Sequence, residues 1–247
     1  MAAFLLANIV FKPAWAGVIC VPGILMLMLS SCATNPPQAD AVSSPGWQDE
    51  FDLPNRELSD SGESKYFILK PGFQMVLESQ FEKLIITVLD ETKVINGITT
   101  RVLEEREERN GELIEVSRNF FAIDMRSGDV FYFGEEVDMY SGGQLTSHSG
   151  AWLAYEDNDL PGLIMSGSPV VGMKYYQEIA PGVAQDRAEI ISTSATFQTQ
   201  AGDFKDCLIT QESSKIQPLA IEYKTYCPGV GLVQDETLLL INYGYIE

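Results

Sequence analysis

Hydrophobic and polar residues alternate along much of the chain from residue 83 onwards, in runs that short turn-forming pairs interrupt. Residues 83–95 read KLIITVLDETKVI, residues 130–133 read VFYF, and residues 188–197 read AEIISTSATF. In the last of these, Ile191, Ala195 and Phe197 fall on one side of a pleat and Ile190 on the other. Runs rich in β-branched and aromatic residues suit a pleated strand. The pairs Asn96-Gly97, Asn110-Gly111, Ser127-Gly128 and Gly142-Gly143 tolerate positive φ and predict tight hairpins. They recur roughly every fifteen residues, leaving about a dozen for each strand. Residues 102–109 (VLEEREER) carry charges that would suit a helix, but they lie between two such turns and read as a strand with a solvated face.

Fixing the turns fixes a register. Around Asn110-Gly111, Arg109 is expected to face Glu112, and Arg106 to face Glu115. Around Ser127-Gly128, Arg126 is expected to face Asp129. Opposite charges directly across a strand pair add a few tenths to about 1 kcal/mol, which supports the turn assignment. Further turns fall at residues 160–162, Pro169, Pro181-Gly182 and Ala201-Gly202. The fold class expected is all-β, a single antiparallel β-meander of about a dozen strands. Twisted open sheets rarely exceed about ten strands, so it should wrap into a barrel, a half-barrel or a two-layer sheet. A wrapped sheet encloses either side chains or a cavity, and the pattern leaves both open.

The first sixty-four residues break this pattern. Lys12 is followed by a mostly apolar stretch, residues 13–31, that contains Pro22-Gly23 and ends in small residues, as an export signal does. It runs into Leu29-Ser30-Ser31-Cys32, which resembles the lipobox of bacterial prolipoproteins. That resemblance implies cleavage between Ser31 and Cys32, a diacylglycerol on the Cys32 sulfur and an acyl chain such as palmitate on its amine. Each buried methylene contributes roughly 0.8 kcal/mol, so more than one chain anchors stably. The residues before Lys12 include FLLANIVF, a long apolar n-region, and an uncleaved anchor is the alternative. Ala33, rather than Asp, follows the cysteine, which by analogy with enterobacteria favours the outer membrane over the inner. Residues 33–64 are rich in Pro, Ser, Gly and Asp and read as a hydrated tether, with Trp47 and Phe51 docking on the domain edge. The expected organisation is a signal peptide at 1–31, a tether at 32–64 and a β-rich domain at 65–247.

Composition narrows the partners. Hydrophobic residues make up 45% of the chain, enough for a sizeable core. Lys and Arg number 16 against 35 Asp and Glu, a net charge of −19, and loss of the leader with Lys12 deepens it. Such a field repels phosphate backbones, and no basic stripe interrupts it, so nucleic acid is not an expected partner. Of 4 cysteines, Cys20 leaves with the leader and Cys32 is acylated. Cys207 and Cys227 flank a hairpin centred near residue 217, which sets them opposite each other. A disulfide there suits an oxidising periplasm, and closing that loop contributes about 3 kcal/mol. Metal ligation by the pair is the weaker reading, with no His or third Cys near in sequence.

The domain also resembles a group of secreted, periplasmic β-rich bacterial proteins. The matching stretches are residues 86–101 (ITVLDETKVINGITTR), 129–136 (DVFYFGEE), 161–165 (PGLIM), 172–178 (GMKYYQE) with Pro181-Gly182, and 223–233 (YKTYCPGVGLV). The resemblance implies fold and location and carries over no activity. The residues themselves offer little chemistry. The single His148, in Ser147-His148-Ser149, is flanked by serines that a strand would turn to the opposite face, so it reads as a hairpin surface residue. Asp124, Ser127, Gly128 and Asp129, with Glu135 or Glu136 beyond, superficially resemble a calcium loop, but a tight turn accounts for them more simply. A carboxylate pair such as Asp124 and Glu135 would serve a glycosidase, though acids are too numerous for that choice to mean anything. Phe120, Phe121, Phe131, Tyr132, Phe133 and Trp152 suit core packing or the wall of an apolar cavity. No cofactor is expected. The leading expectation is a membrane-anchored envelope lipoprotein with a non-enzymatic role, binding an envelope partner or contributing structurally. The alternatives are a carrier of a lipid or other apolar ligand and, third, a carboxylate-based hydrolase.

Overall fold

The structure, a computed structural model, describes residues 46–246. Ser31, Cys32 and the leader lie outside the described residues. The described chain is all-β, as the alternation predicts: one antiparallel sheet of 16 strands curls into a nearly closed barrel, and a second sheet is a two-stranded hairpin. An arm comes first, with a 3-10 turn at Leu53–Asn55, then β1 (Leu58–Ser59), β2 (Gly62–Glu63) and β3 (Ile68–Leu69). The first long walls are β4 (Phe73–Glu78), β5 (Glu82–Ile95), β6 (Ile98–Arg109), β7 (Glu112–Asp124) and β8 (Val130–Ser141). Shorter strands follow: β9 (Gln144–Ser147), β10 (Trp152–Leu153), β11 (Leu160–Met165), β12 (Lys174–Tyr176) and β13 (Glu178–Ile179). The chain finishes through β14 (Asp186–Thr199), β15 (Gly202–Ser214), β16 (Ile221–Cys227), β17 (Gly231–Asp235) and β18 (Leu238–Tyr245).

The neighbour order is β12-β14-β15-β16-β17-β18-β4-β5-β6-β7-β8-β11-β13. The last strand therefore lies beside the first long one, with Tyr245 opposite Phe73. Two halves of one segment, 174–179, draw the free edges together. Its first half pairs with β14, Tyr175 opposite Ala188, and its second with β11, Glu178 opposite Pro161. Between them the Gln177 N–H donates to the Asp186 carbonyl at 2.8 Å. Gly162 of β11 makes this approach possible, because a Cβ there would lie 2.3 Å from the Gln177 carbonyl.

Three of the four expected turn pairs sit in the left-handed region that Gly and Asn tolerate: φ is 48° and 82° at Asn96 and Gly97, 52° and 78° at Asn110 and Gly111, and 56° and 73° at Gly142 and Gly143. Arg109 faces Glu112, as expected. A bulge at Glu107/Glu108 then shifts the register, so Arg106 stands opposite Val116 and Glu107 opposite Glu115. The extra residue turns an expected ion pair into two facing acids. The connection at Ser127-Gly128 is also wider than a two-residue turn. β7 stops at Asp124, and Arg126 does not face Asp129 across a ladder; its guanidinium donates to the Asn55 carbonyl on the arm at 2.6 Å.

Residues 46–64, read from composition as part of the tether, pack on the barrel. Gln48 exchanges backbone hydrogen bonds with β12, accepting from Tyr176 N and donating to Lys174 O, both at 2.9 Å. Trp47 lies against the Arg187 and Lys174 cations, and Phe51 is buried edge-on against Phe131. The Arg56 guanidinium sits 5.0 Å from the centre of the Phe131 ring and reaches Asp124 and Asp129 at 3.1 and 2.6 Å. The β2–β3 hairpin brings Phe67 and Ile68 against inward residues of β4 to β7. No helix among the described residues is long and apolar enough to cross a membrane.

Candidate functional site

The inward set of side chains is apolar on one wall and strongly acidic on others. Strand alternation turns Phe73, Met75 and Leu77 of β4 and Leu84, Ile86 and Val88 of β5 into the core. On β6 the same face reads Leu103, Glu105, Glu107, as the pairings with Val88, Ile86 and Leu84 require. On β7 it reads Glu115, Ser117, Asn119, Phe121, and Asn119 stands opposite Glu135 of β8. Across the barrel, Thr210 faces Lys224 and Glu212 faces Glu222 on β15 and β16, while Lys224 also faces Asp235 of β17. Glu178 and Asp186 come from the closing segment and the start of β14. Most of these acids lie toward the end of the barrel bounded by the turns at 110–111 and 236–237 and the loop 215–220.

Burying so many carboxylates forces them to share charge and protons. Lys224, 4% exposed, reaches Asp235 at 3.2 Å and Glu212 at 3.7 Å. Burial disfavours its ammonium, but Asp235 and Glu212 outweigh this and hold its pKa well above that of a free lysine. Glu212 also accepts from Thr210 Oγ1 at 3.0 Å and Gln177 Nε2 at 3.1 Å. Burial, with Glu115 opposite, pushes Glu107 up to about 8. Burial, with Glu115 and Glu105 near, pushes Glu135 up to about 8 as well. Glu222 rises to about 7, again chiefly by burial. Glu178 and Asp186 hydrogen-bond carboxyl to carboxyl, which requires a proton between them. Burial holds Glu178 well above the ordinary carboxyl range and lifts Asp186 to about 6. Tyr132 donates to Asn119 Oδ1 at 2.6 Å and stacks on Phe121, with Trp152 edge-on to its ring.

Several atoms in this interior are left over. Oε1 of Gln177, the Tyr175 hydroxyl and Trp152 Nε1 are buried and make no hydrogen bond. Each unsatisfied buried group costs roughly 1–3 kcal/mol. The interior also holds a cavity of about 50 Å³ whose wall is apolar on the side of Met75, Leu84, Ile86 and Phe121 and polar at Glu105, Lys224 and Asp235. No group of three or more His, Cys, Asp or Glu among the described residues could hold a metal ion.

The residues singled out in the sequence are dispersed. Cys207 and Cys227 form a disulfide between β15 and β16, next to the Leu208–Tyr226 pair. His148 is on the surface, its Nδ1 2.8 Å from the Val137 carbonyl and 3.0 Å from Asp138. Asp124, Ser127 and Asp129 converge, but on the Arg56 guanidinium, which occupies the place a cation would take. Hydrogen bonds from the Arg126 N–H, Arg56 and Ser127 overcome the effect of burial and hold Asp124 below its ordinary pKa. Glu135 faces the interior and is not paired with Asp124, while Glu136 is on the outer face with Lys93, 2.5 Å away. Sequence reasoning missed Glu107, Glu115, Glu178, Asp186, Glu212 and Lys224. The alternation of β15 carried a partial signal, since Glu212 falls in step with Leu208 and Thr210.

Fold and interior together define a class: an all-β barrel, nearly closed, with an apolar wall facing a buried, proton-sharing carboxylate cluster. Compared with known proteins, the chain matches no protein-family model, no curated protein and no solved structure.

Proposed function

We propose that this chain is a lipid-anchored envelope protein with a non-enzymatic binding role, and that the barrel interior is its binding site. The observation that carries the binding role is the inverted polarity of the interior. A filled barrel gains most by turning apolar side chains inward, yet this one buries Glu107, Glu115, Glu135, Glu178 and Glu212 at 6% exposure or less. Desolvating carboxylates opposes folding, and concave polar interiors with displaced pKa values gather at functional sites. The anchor reading rests on Leu29-Ser30-Ser31-Cys32, and the Cys207–Cys227 disulfide, typical of oxidising compartments, supports export. Placement on the outer membrane, periplasmic side, rests on Ala33.

A second reading, a carrier for an apolar ligand, is favoured by the cavity beside Met75, Leu84 and Phe121. At about 50 Å³ it has room for a few waters or a short aliphatic group, so an acyl chain would require the walls to part.

Two measurements test the proposal. Expressed in a bacterium fed labelled palmitate, the full chain should take up label and partition with membranes, and Cys32→Ala should do neither. Native mass spectrometry of the detergent-solubilised protein should then show a small polar molecule retained. Unlabelled protein in the soluble fraction overturns the anchor; a co-purifying lipid overturns the polar site in favour of the carrier.

A further inference from the structure

The segment 174–179 holds the barrel shut with little backbone pairing. On the β11 side it makes two residue pairs, Leu160 with Ile179 and Pro161 with Glu178, and Pro161 brings no N–H of its own. Inside this joint two carboxyls meet. Glu178, 3% exposed, hydrogen-bonds to Asp186, 5% exposed, at the start of β14. The backbone sets them side by side, since the neighbouring Gln177 N–H donates to the Asp186 carbonyl. Two carboxyls hydrogen-bond only while a proton lies between them. The surrounding groups do not replace it. Glu135 on β8 and Glu212 on β15 are acids that face the pair, and Ser214 hydrogen-bonds to Asp186. Lys224 on β16 is engaged by Asp235 and Glu212, and Arg187, next to Asp186, reaches Trp47 and Ser213 instead.

We propose that the proton shared by Glu178 and Asp186 is the latch of the barrel: with it in place the joint between β11 and β14 stays shut, and a rise in pH lets the segment 174–179 part from β11 and opens the interior sideways to solvent. The step is a proton release. Closed, the pair holds one proton between two carboxyls; open, both carboxyls reach water, ionise at ordinary values and pass that proton to solvent. In the closed form burial, then Asp186 and Glu135, hold Glu178 well above the ordinary carboxyl range, and burial lifts Asp186 to about 6. Between about pH 6 and the closed-state value of Glu178, each opening therefore releases one proton. The closed form binds more protons than the open one, so its advantage is complete at acid pH and falls as pH rises. This device acts whether or not the interior takes a ligand, so its failure leaves the proposed function standing.

The test is hydrogen exchange of the full chain in detergent, read by mass spectrometry from about pH 6.5 to about pH 8.5 and corrected for the pH dependence of exchange itself. Protection of residues 174–179 should fall roughly tenfold per pH unit, about a hundredfold over the range, because one proton leaves with each opening. It should stay below the protection of β5 throughout, which marks a local opening rather than loss of the whole barrel. Glu178→Gln keeps the shape and lets its amide donate to an ionised Asp186, so the joint needs no proton. Protection in that variant should be flat across the same range. Wild-type protection that is flat with pH, or equal to that of β5 at every pH, overturns the proposal, and neither result depends on the variant folding. A variant with the slope of wild type overturns it as well.

Discussion

Replacing Glu107 by Gln should stabilise the barrel, and by an amount that grows with pH. Glu107 is 6% exposed and stands opposite Glu115 because of the bulge beside it. Its carboxyl has a pKa of about 8 in the fold against an ordinary 4.5. The native state thus holds this proton more tightly than the unfolded chain does. The resulting stability is fully present below about pH 4.5 and is lost as pH rises through about 8. Each pH unit in that window removes up to about 1.4 kcal/mol, so the whole interval is worth about 5 kcal/mol in a rigid site and about half that if water enters. Gln keeps the shape and cannot ionise. Urea unfolding of wild type and Glu107→Gln should give similar stabilities near pH 5, with the variant gaining progressively to pH 8.5 by about 2–5 kcal/mol. The difference between the two proteins isolates Glu107, since Glu135, Glu178 and Glu222 titrate in both. A difference that is flat across pH 5–8.5, or that widens toward acid, would refute the argument that burial and Glu115 hold this proton in place.

Other substitutions probe other parts of the fold. Cys207→Ser/Cys227→Ser should cost about 3 kcal/mol, or roughly 6–12 °C in Tm, and added reductant should lower wild type to the same value. Arg56→Ala leaves Asp124 and Asp129 without their shared partner and should cost about 2–3 kcal/mol, less than a fully buried pair because Arg56 is 22% exposed. Limited proteolysis of that variant should cut within residues 46–60 before the barrel is touched. Gly162→Ala drives a Cβ into the Gln177 carbonyl and should cost about 3 kcal/mol, with hydrogen exchange accelerating in residues 174–179 and unchanged at the turn 96–97.

Much of the scaffold was legible in the sequence because it depends on local rules. Asn-Gly and Gly-Gly pairs mark hairpins through the φ values they accept, and β-branched alternation marks the strands between them. Even the charged run 102–109 was correctly a strand, since two turns left it no other role. The disulfide followed from a hairpin midpoint. What escaped was non-local. A single bulge at Glu107/Glu108 reversed the meaning of Glu115, from a partner of Arg106 to a buried acid facing another. No local pattern announces such a bulge. The arm at 46–64 has the composition of a linker, and although Trp47 and Phe51 were expected to dock on the domain edge, the Arg56 contacts with Asp124 and Asp129 depend on walls that only the fold provides. The acidic interior was hidden for the same reason. Glu178, Asp186 and Glu212 are ordinary acids in the sequence and become a cluster only when the segment 174–179 joins β11 to β14.

The pairing of β18 with β4 has a consequence for how the molecule is made. The wall order is a ring with no natural starting point, and the two strands that complete it are separated by almost the whole domain. Contacts of such long sequence separation form slowly, because a large loop must close before they bring any gain. A chain emerging in the direction of synthesis holds residues 73–78 unpaired on that side until residues 238–245 arrive. Throughout that interval β4 presents an open edge lined with Phe73, Met75 and Leu77, the kind of surface that recruits other chains. The barrel therefore depends on its final eight-residue strand. Translation that stops short of Leu238 yields an aggregation-prone sheet rather than a smaller barrel.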